Sequence, residues 1–409
     1  MNRAFEARPW RALALLSLAE LLVMSVWFTA SSVAPELQER WTLSASEVGW
    51  LTTSVQLGFV MGTAVAALLN LADILPSRAY FAGAALLAAG ANALLLAATG
   101  LPVALVSRFL TGFMLAGVYP PAMKMIATWF RRNRGLAIGT VVGALTVGKA
   151  MPYLLKTLPE MGPKGVTLGA SGAAVVGSIL VFLWYRDGPH SFLRMPFSWG
   201  LIGRVVRHRE TRLAVAGYLG HMWELYAMWT WVPAFLLAGI QARAGVEVGA
   251  SSTTMADLVA FGAIAAGGAG CVWGGWAADR IGRERLVNLA MAVSGGCSLM
   301  VGFFFGWSLW VVAPIVWVWG FFVVADSAQF SALVTEVAPP EAVGTALTLQ
   351  TSLGFLLTML TIQAVPLASG SLGWQWGFAL LALGPAFGIG AILRLGRVRS
   401  ESLEGAGPG

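Results

Sequence analysis

Two short runs place an acid, a thioether and an indole on one helical face. Glu20, Met24 and Trp27 stand at i, i+4 and i+7, and so do Glu224, Met228 and Trp231. His221 precedes Glu224 by one turn, and Asp326 and Gln329 share the segment DSAQF. Arg108, Lys124 and Lys149 also fall inside apolar stretches. An ionisable side chain deep in a bilayer costs roughly 2.5–3.5 kcal/mol on insertion scales, so each one is read as functional unless it is paired. A carboxyl group withdrawn from water can hold or release a proton near neutral pH, and an imidazole titrates there unaided. Glu20, His221, Glu224 and Asp326 are therefore the expected proton-handling groups, with Glu224 first because His221 is its neighbour. Arg108 and Lys149 are the expected contacts for an anionic group. Trp27, Gln56, Tyr226, Trp231 and Gln329 are the expected walls of a binding cavity. The competing reading of each acid is a structural pair, such as Asp326 with Lys149 or Glu20 with Arg108. For each aromatic it is helix packing or an interfacial belt.

The elements that position these groups follow from hydropathy. Hydrophobic residues make up 57% of the 409, and charged residues only 11%, against about 25% in a soluble domain. The apolar runs are about 20 residues long, the length of a spanning helix rather than of a barrel strand. Twelve spans are expected, at 11–34, 46–72, 79–99, 102–128, 135–157, 166–186, 212–240, 255–279, 286–306, 308–336, 341–369 and 373–394. The polar stretch 187–211 divides an N-terminal six-helix bundle, 1–186, from a C-terminal one, 212–399, with a tail at 400–409. Of the 26 Lys and Arg residues, 19 fall on the side of the termini, four on the other side and three within spans. The positive-inside rule then puts both termini in the cytoplasm. The first apolar run is longer than a signal peptide core. A basic chain can bind nucleic acid, but here the basic residues sit in short loops between spans, so a lipid bilayer is the expected partner and nucleic acid is not.

Several chemistries are excluded. GALTVGKA, from Gly143 to Ala150, matches a phosphate-loop pattern but lacks the final Ser or Thr and lies inside an apolar helix. The glycines at 135, 139 and 143 fit close helix packing instead. Cys271 and Cys297 with His190, His208 and His221 show no metal spacing. No cofactor, metal or enzyme constellation is expected.

The halves repeat one another. ELLVMSVW (Glu20–Trp27) aligns with ELYAMWTW (Glu224–Trp231) at an offset of 204, Asp73 with Asp279 at 206, and Gly112-Phe113 with Gly320-Phe321 at 208. Parallel repeats with a site between them near mid-membrane are a transporter plan. The loop after span 8 reads GGWAADRIGRER, with Gly275, Asp279, Arg280, Gly282, Arg283 and Arg285. It is similar to the cytoplasmic loop motif G-x-x-x-D-R-x-G-R-[RK] of the major facilitator superfamily. In the first half Asp73 and Arg78 remain, while Ile74 and Pro76 replace the motif's Arg and Gly. The resemblance covers the whole chain. It implies an all-helical membrane fold of two pseudo-symmetric six-helix bundles, alternating access, and a gating role for Asp279 and then Asp73, whose charge favours a helix N-terminus of the other half.

Tyr119–Gly139, YPPAMKMIATWFRRNRGLAIG, resembles the anion-porter branches and, more loosely, nitrate/nitrite and cyanate carriers. Nitrate carriers have an Arg in helix 2 and another in helix 8, and neither is present here. Drug antiporters have a Gly-Pro pair in helix 5, where this chain has Pro152 alone. The expectation is a monomeric, proton-coupled symporter of a small organic or inorganic anion. Antiport of hydrophobic compounds is the alternative, and a non-transporting membrane sensor is the alternative of another class. The lack of glycosylation sequons and the excess of Arg over Lys associate with a bacterial cytoplasmic (inner) membrane.

Overall fold

The computed structural model describes residues 3–131, 133–159, 161–190, 198–245 and 250–405. Arg132 and Arg194 lie outside the described residues, as do parts of the central stretch and the tail. Among the described residues, eleven helices are long and apolar enough to cross a membrane. They are α2 (Ala45–Leu68), α3 (Ser77–Ala97), α4 (Leu101–Ala127), α5 (Gly135–Lys156), α6 (Pro163–Trp184), α7 (Arg209–Ala244), α8 (Ser251–Ile281), α9 (Arg283–Phe304), α10 (Leu309–Val337), α11 (Pro340–Leu372) and α12 (Trp374–Glu401). The first crossing, α1, is helical over Arg3–Met24, Thr29–Ser32 and Ala34–Trp41. Its charges, Arg8, Arg11 and Glu20, set it apart from the other eleven. The fold is the expected all-helical one of twelve crossings.

Local chemistry explains several boundaries. Ser44 accepts from the Glu47 backbone N–H, and the Glu47 carboxylate accepts from the Ser44 N–H at 2.8 Å, a capping box that starts α2. Gly282, at φ +86°, turns α8 into α9, a conformation that suits glycine. Three crossings are interrupted near mid-length: α1 at 25–28, α4 at 116–118 and α10 at Asp326. In α4 the cause is plain, because Pro120 and Pro121 have no N–H to continue the ladder. In α1 no Pro or Gly lies near the break. The Ser25 hydroxyl donates to the Leu22 carbonyl at 2.7 Å and lies 3.2 Å from the Ala170 carbonyl of α6.

The two halves meet along α5 with α8 and along α2 with α11. The glycine repeat in α5 makes the first contact possible. A Cβ added at Gly143 would stand 2.7 Å from the Gly268 carbonyl oxygen, and one at Gly139 would stand 3.2 Å from that of Cys271. Gly143→Leu is therefore expected to lower the thermal midpoint by the equivalent of about 1–3 kcal/mol of overpacking. Gly172→Leu, at an exposed position where an added Cβ meets nothing within 4 Å, should leave it unchanged. Equal midpoints for the two variants in detergent would contradict the close contact.

Candidate functional site

A cleft of about 640 Å³, mouth included, lies between the halves. Met24 and Trp27 reach it from α1, Tyr119 from α4, Thr146 and Lys149 from α5, and Tyr218, Met222, Tyr226 and Trp229 from α7. Ser327 and Ser331 come from α10, just past its interruption, and Phe355 from α11. Ser331 is exposed, so the cleft runs toward the face that carries both termini. Towards the opposite face it ends in an aromatic cluster. Phe59 and Phe355 have centroids 4.8 Å apart, Tyr226 and Phe355 5.2 Å, and Trp27 and Phe59 5.4 Å. Beyond that cluster Lys156 of α5 pairs with Glu36 of α1 at 3.2 Å and with Asp257 of α8 at 3.5 Å.

Among the described residues, Lys149 is the one basic side chain of the cleft wall. It is 4% exposed, and its ammonium donates to Tyr226 Oη at 2.6 Å. The same nitrogen lies 4.2 Å from the Trp27 ring centroid and 5.4 Å from that of Trp229. Glu20 sits one turn before Met24 and is wholly buried. Neither of its oxygens has a hydrogen-bond partner, and Lys149 is the cation that acts on it through space.

Residues 16–361 match the profile of the Major Facilitator Superfamily. The chain belongs to the major facilitator superfamily. It is a multi-pass membrane protein of that superfamily. The uncharacterized transporter YgaY of Escherichia coli O157:H7 is 27% identical over 136 residues, 33% of this chain and 34% of that protein. Its counterpart in strain K12 gives the same match. The chain thus spans about a third of the length of the curated relatives it matches. A crystal structure of a variant of the nucleoside transporter NupG superposes with a TM-score of 0.72 at 12% identity, covering 94% of this chain and 99% of that one. That likeness concerns the fold alone.

Against the superfamily plan, the structure corrects several expected placements. Glu224 does not face the cleft. Its carboxylate accepts from Ser294 Oγ of α9 at 2.8 Å and from Trp319 Nε1 of α10 at 2.7 Å, inside the C-terminal half. His221 lies not against Glu224 but against Asp326, Nδ1 to Oδ1 at 2.9 Å. Trp231, on the Glu224 face, donates to the Ile362 carbonyl at 2.8 Å. Neither Glu20 nor Glu224 is on the cleft wall; Met24 and Trp27 are, whereas their matches Met228 and Trp231 are not, so matched sequences do not present matched faces.

Arg108 is likewise withdrawn from the cleft. It donates to Asn92 Oδ1 at 2.6 Å and to the carbonyls of Val26 and Trp27 at 2.7 and 2.6 Å. Those carbonyls belong to the interruption of α1, whose helical bonds end there. Gln56 accepts from the Thr358 hydroxyl of α11, a contact between halves. Gln329 is buried outside the cleft wall. Neither Asp326–Lys149 nor Glu20–Arg108 forms an ion pair.

The loop residues occupy one face. Gly275 is buried, and an added Cβ would come 3.6 Å from the Gly135 carbonyl oxygen of α5. Arg280 stacks on Trp276 at 3.6 Å, and Arg283 pairs with Glu336 at the end of α10 at 2.9 Å. Asp279 is exposed and bonds to none of the described residues. Arg78 lies 5.8 Å from the Phe182 ring centroid within its own half. The side chain of Asp73 is outside the described set.

Residues the sequence reading passed over include Tyr218, Met222, Leu225 and Trp229. With Tyr226 they occupy i, i+4, i+7, i+8 and i+11 of α7, the stripe that faces the cleft. That period was visible in the sequence, but without a charge it did not stand out from ordinary packing.

Proposed function

We propose that this protein is a proton-coupled symporter of a small anion, with Lys149 as the anion contact and Glu20 as the proton carrier. The observation that carries the reading is Lys149 itself, the single cation on the cleft wall, set against one wholly buried acid whose oxygens have no partners. When Glu20 is ionised, its charge balances Lys149 and the cleft has little pull on an anion. When Glu20 takes a proton, the lysine charge is unbalanced and an anion restores neutrality. The empty and the fully loaded cleft are both neutral, so both can be enclosed at mid-membrane. The proton-only state carries a net charge that burial penalises. This asymmetry suppresses proton leak.

The reading favours the anion branches of the superfamily. The excess of Lys and Arg on the face of the termini supports a cytoplasmic position for both ends. The Escherichia coli relatives support a bacterial inner membrane. The carrier acts as a monomer, with protons and the solute as its only small partners.

The test is reconstitution in liposomes under an inward proton gradient. Adding a small organic anion outside should alkalinise the outer medium and drive accumulation. Lys149→Gln should reduce that uptake about a hundredfold, the loss of a charge-assisted contact of about 2.7 kcal/mol. Anion uptake without proton movement, or uptake that persists in Lys149→Gln, rejects the proposal.

A further inference from the structure

The Lys149 ammonium is held in an aromatic cage. One N–H goes to Tyr226 Oη at 2.6 Å, and the nitrogen lies 4.2, 4.9 and 5.4 Å from the ring centroids of Trp27, Tyr226 and Trp229. Cations are attracted to aromatic faces, and more strongly when both are desolvated. Lys149 and Trp27 belong to the N-terminal half, Tyr226 and Trp229 to the C-terminal half. The cage therefore ties the halves together across the cleft. An arriving anion must compete with it for the same ammonium.

Three further donors in this cluster have no acceptor: Trp27 Nε1, Trp229 Nε1 and Tyr153 Oη, each on a residue 1% exposed. Buried donors without acceptors are costly, and a guest bearing oxygen atoms would satisfy them. Tyr153 lies one turn beyond Lys149 on α5. Hydroxyls at Thr146, Ser327, Ser331 and Thr351 aside, the rest of the wall is apolar or aromatic, including Met24, Leu145, Met222 and Phe355. With one cation available, a dianion would leave a buried charge unpaired, which is strongly unfavourable.

We infer that the solute is a monoanionic aromatic acid, whose carboxylate draws Lys149 out of the cage and whose ring takes the place of the ammonium against Trp27 and Tyr226. The inference rests on the anion-symport reading and narrows it. The exchange replaces a cation–π contact by ring–ring contact and an ammonium bond to a neutral phenol oxygen by one to a carboxylate, in which both partners are charged. It also releases the Lys149–Tyr226 tie only when the solute is present, so the halves are freed to move by the loaded state.

The probes are benzoate, cyclohexanecarboxylate, terephthalate and nitrate, measured by calorimetry in detergent and by proton uptake in liposomes. Benzoate should bind about tenfold more tightly than cyclohexanecarboxylate, a ring-contact difference of about 1.4 kcal/mol. Terephthalate should not bind. Tyr226→Phe removes the competitor for the ammonium, so it should tighten benzoate binding about tenfold. A purely structural tyrosine would show the opposite. Trp27→Leu should weaken benzoate and spare nitrate. Unchanged or weaker benzoate binding in a monodisperse Tyr226→Phe protein overturns the inference, as does equal affinity for the two ring acids. If nitrate moves protons and benzoate does not, the inference fails and anion symport stands. If no anion moves protons, both fall.

Discussion

Arg108→Leu is expected to yield little folded protein, and what is recovered should unfold with a loss of at least about 3 kcal/mol relative to the parent. The arginine is wholly buried and has no carboxylate among its partners. What it satisfies is backbone. The interruption of α1 leaves carbonyls at Val26 and Trp27 without helical donors, in a region where no bulk water can replace them. Its guanidinium fork supplies two donors to those carbonyls and a third to Asn92. Asn92 in turn donates to Ser171 of α6 at 2.9 Å. One side chain therefore joins α1, α3, α4 and, through Asn92, α6. Leucine fills the volume but strands three acceptors, each costing about 1–3 kcal/mol. The cation also faces the negative end of the first segment of α1, where positive charge is favoured. Arg108→Lys should recover only part of the stability, because an ammonium is a point donor without the planar fork. Fluorescence-detected size exclusion and thermal midpoints in detergent read this directly. A wild-type midpoint for Arg108→Leu would remove the backbone-satisfying role and return Arg108 to the list of solute contacts.

Arg108 also shows what hydropathy can and cannot convey. An arginine inside an apolar span reads as functional because its cost must be repaid, and here backbone carbonyls repay it. The break that exposes them has no Pro or Gly to announce it: residues 22–30 read LVMSVWFTA. In α4 the same kind of break was legible from Pro120 and Pro121. The number and limits of the spans were readable because lipid imposes one length and one composition on every crossing. The largest departures are α1, which continues to Trp41, and α12, which runs on to Glu401. Rotation about the helix axis is the quantity the sequence left open. The repeat at Glu20 and Glu224 suggested two acids across one cleft. Ser294 and Trp319 enclose the second acid, and both come from helices whose placement depends on the folded bundle. The aromatic cage around Lys149 has the same character, since Trp27 and Trp229 are more than 200 positions apart and meet only when the halves do.

Glu20→Gln separates anion binding from pH. The sign follows from the charge that acts on the acid, Lys149 on α5. Protonating Glu20 removes a negative charge near Lys149, so anion affinity rises as pH falls. By reciprocity, binding the anion draws a proton on to Glu20 with the same factor. With one proton per anion, wild-type affinity should fall about tenfold per pH unit once Glu20 is ionised in the empty protein. Glutamine fixes the neutral form, so affinity in Glu20→Gln should stay at the low-pH value across the range. The variant should still exchange anion for anion, because that cycle needs no change of protonation, while accumulation against a gradient is lost. Glu224→Gln should keep the wild-type slope, since Ser294 and Trp319 hold that carboxylate away from the cleft. His221 and Asp326 stand 2.9 Å apart in the C-terminal half. If Glu20→Gln retains a tenfold change per pH unit, Glu20 is not the proton carrier, and the coupling belongs to that pair in the opposite half of the protein.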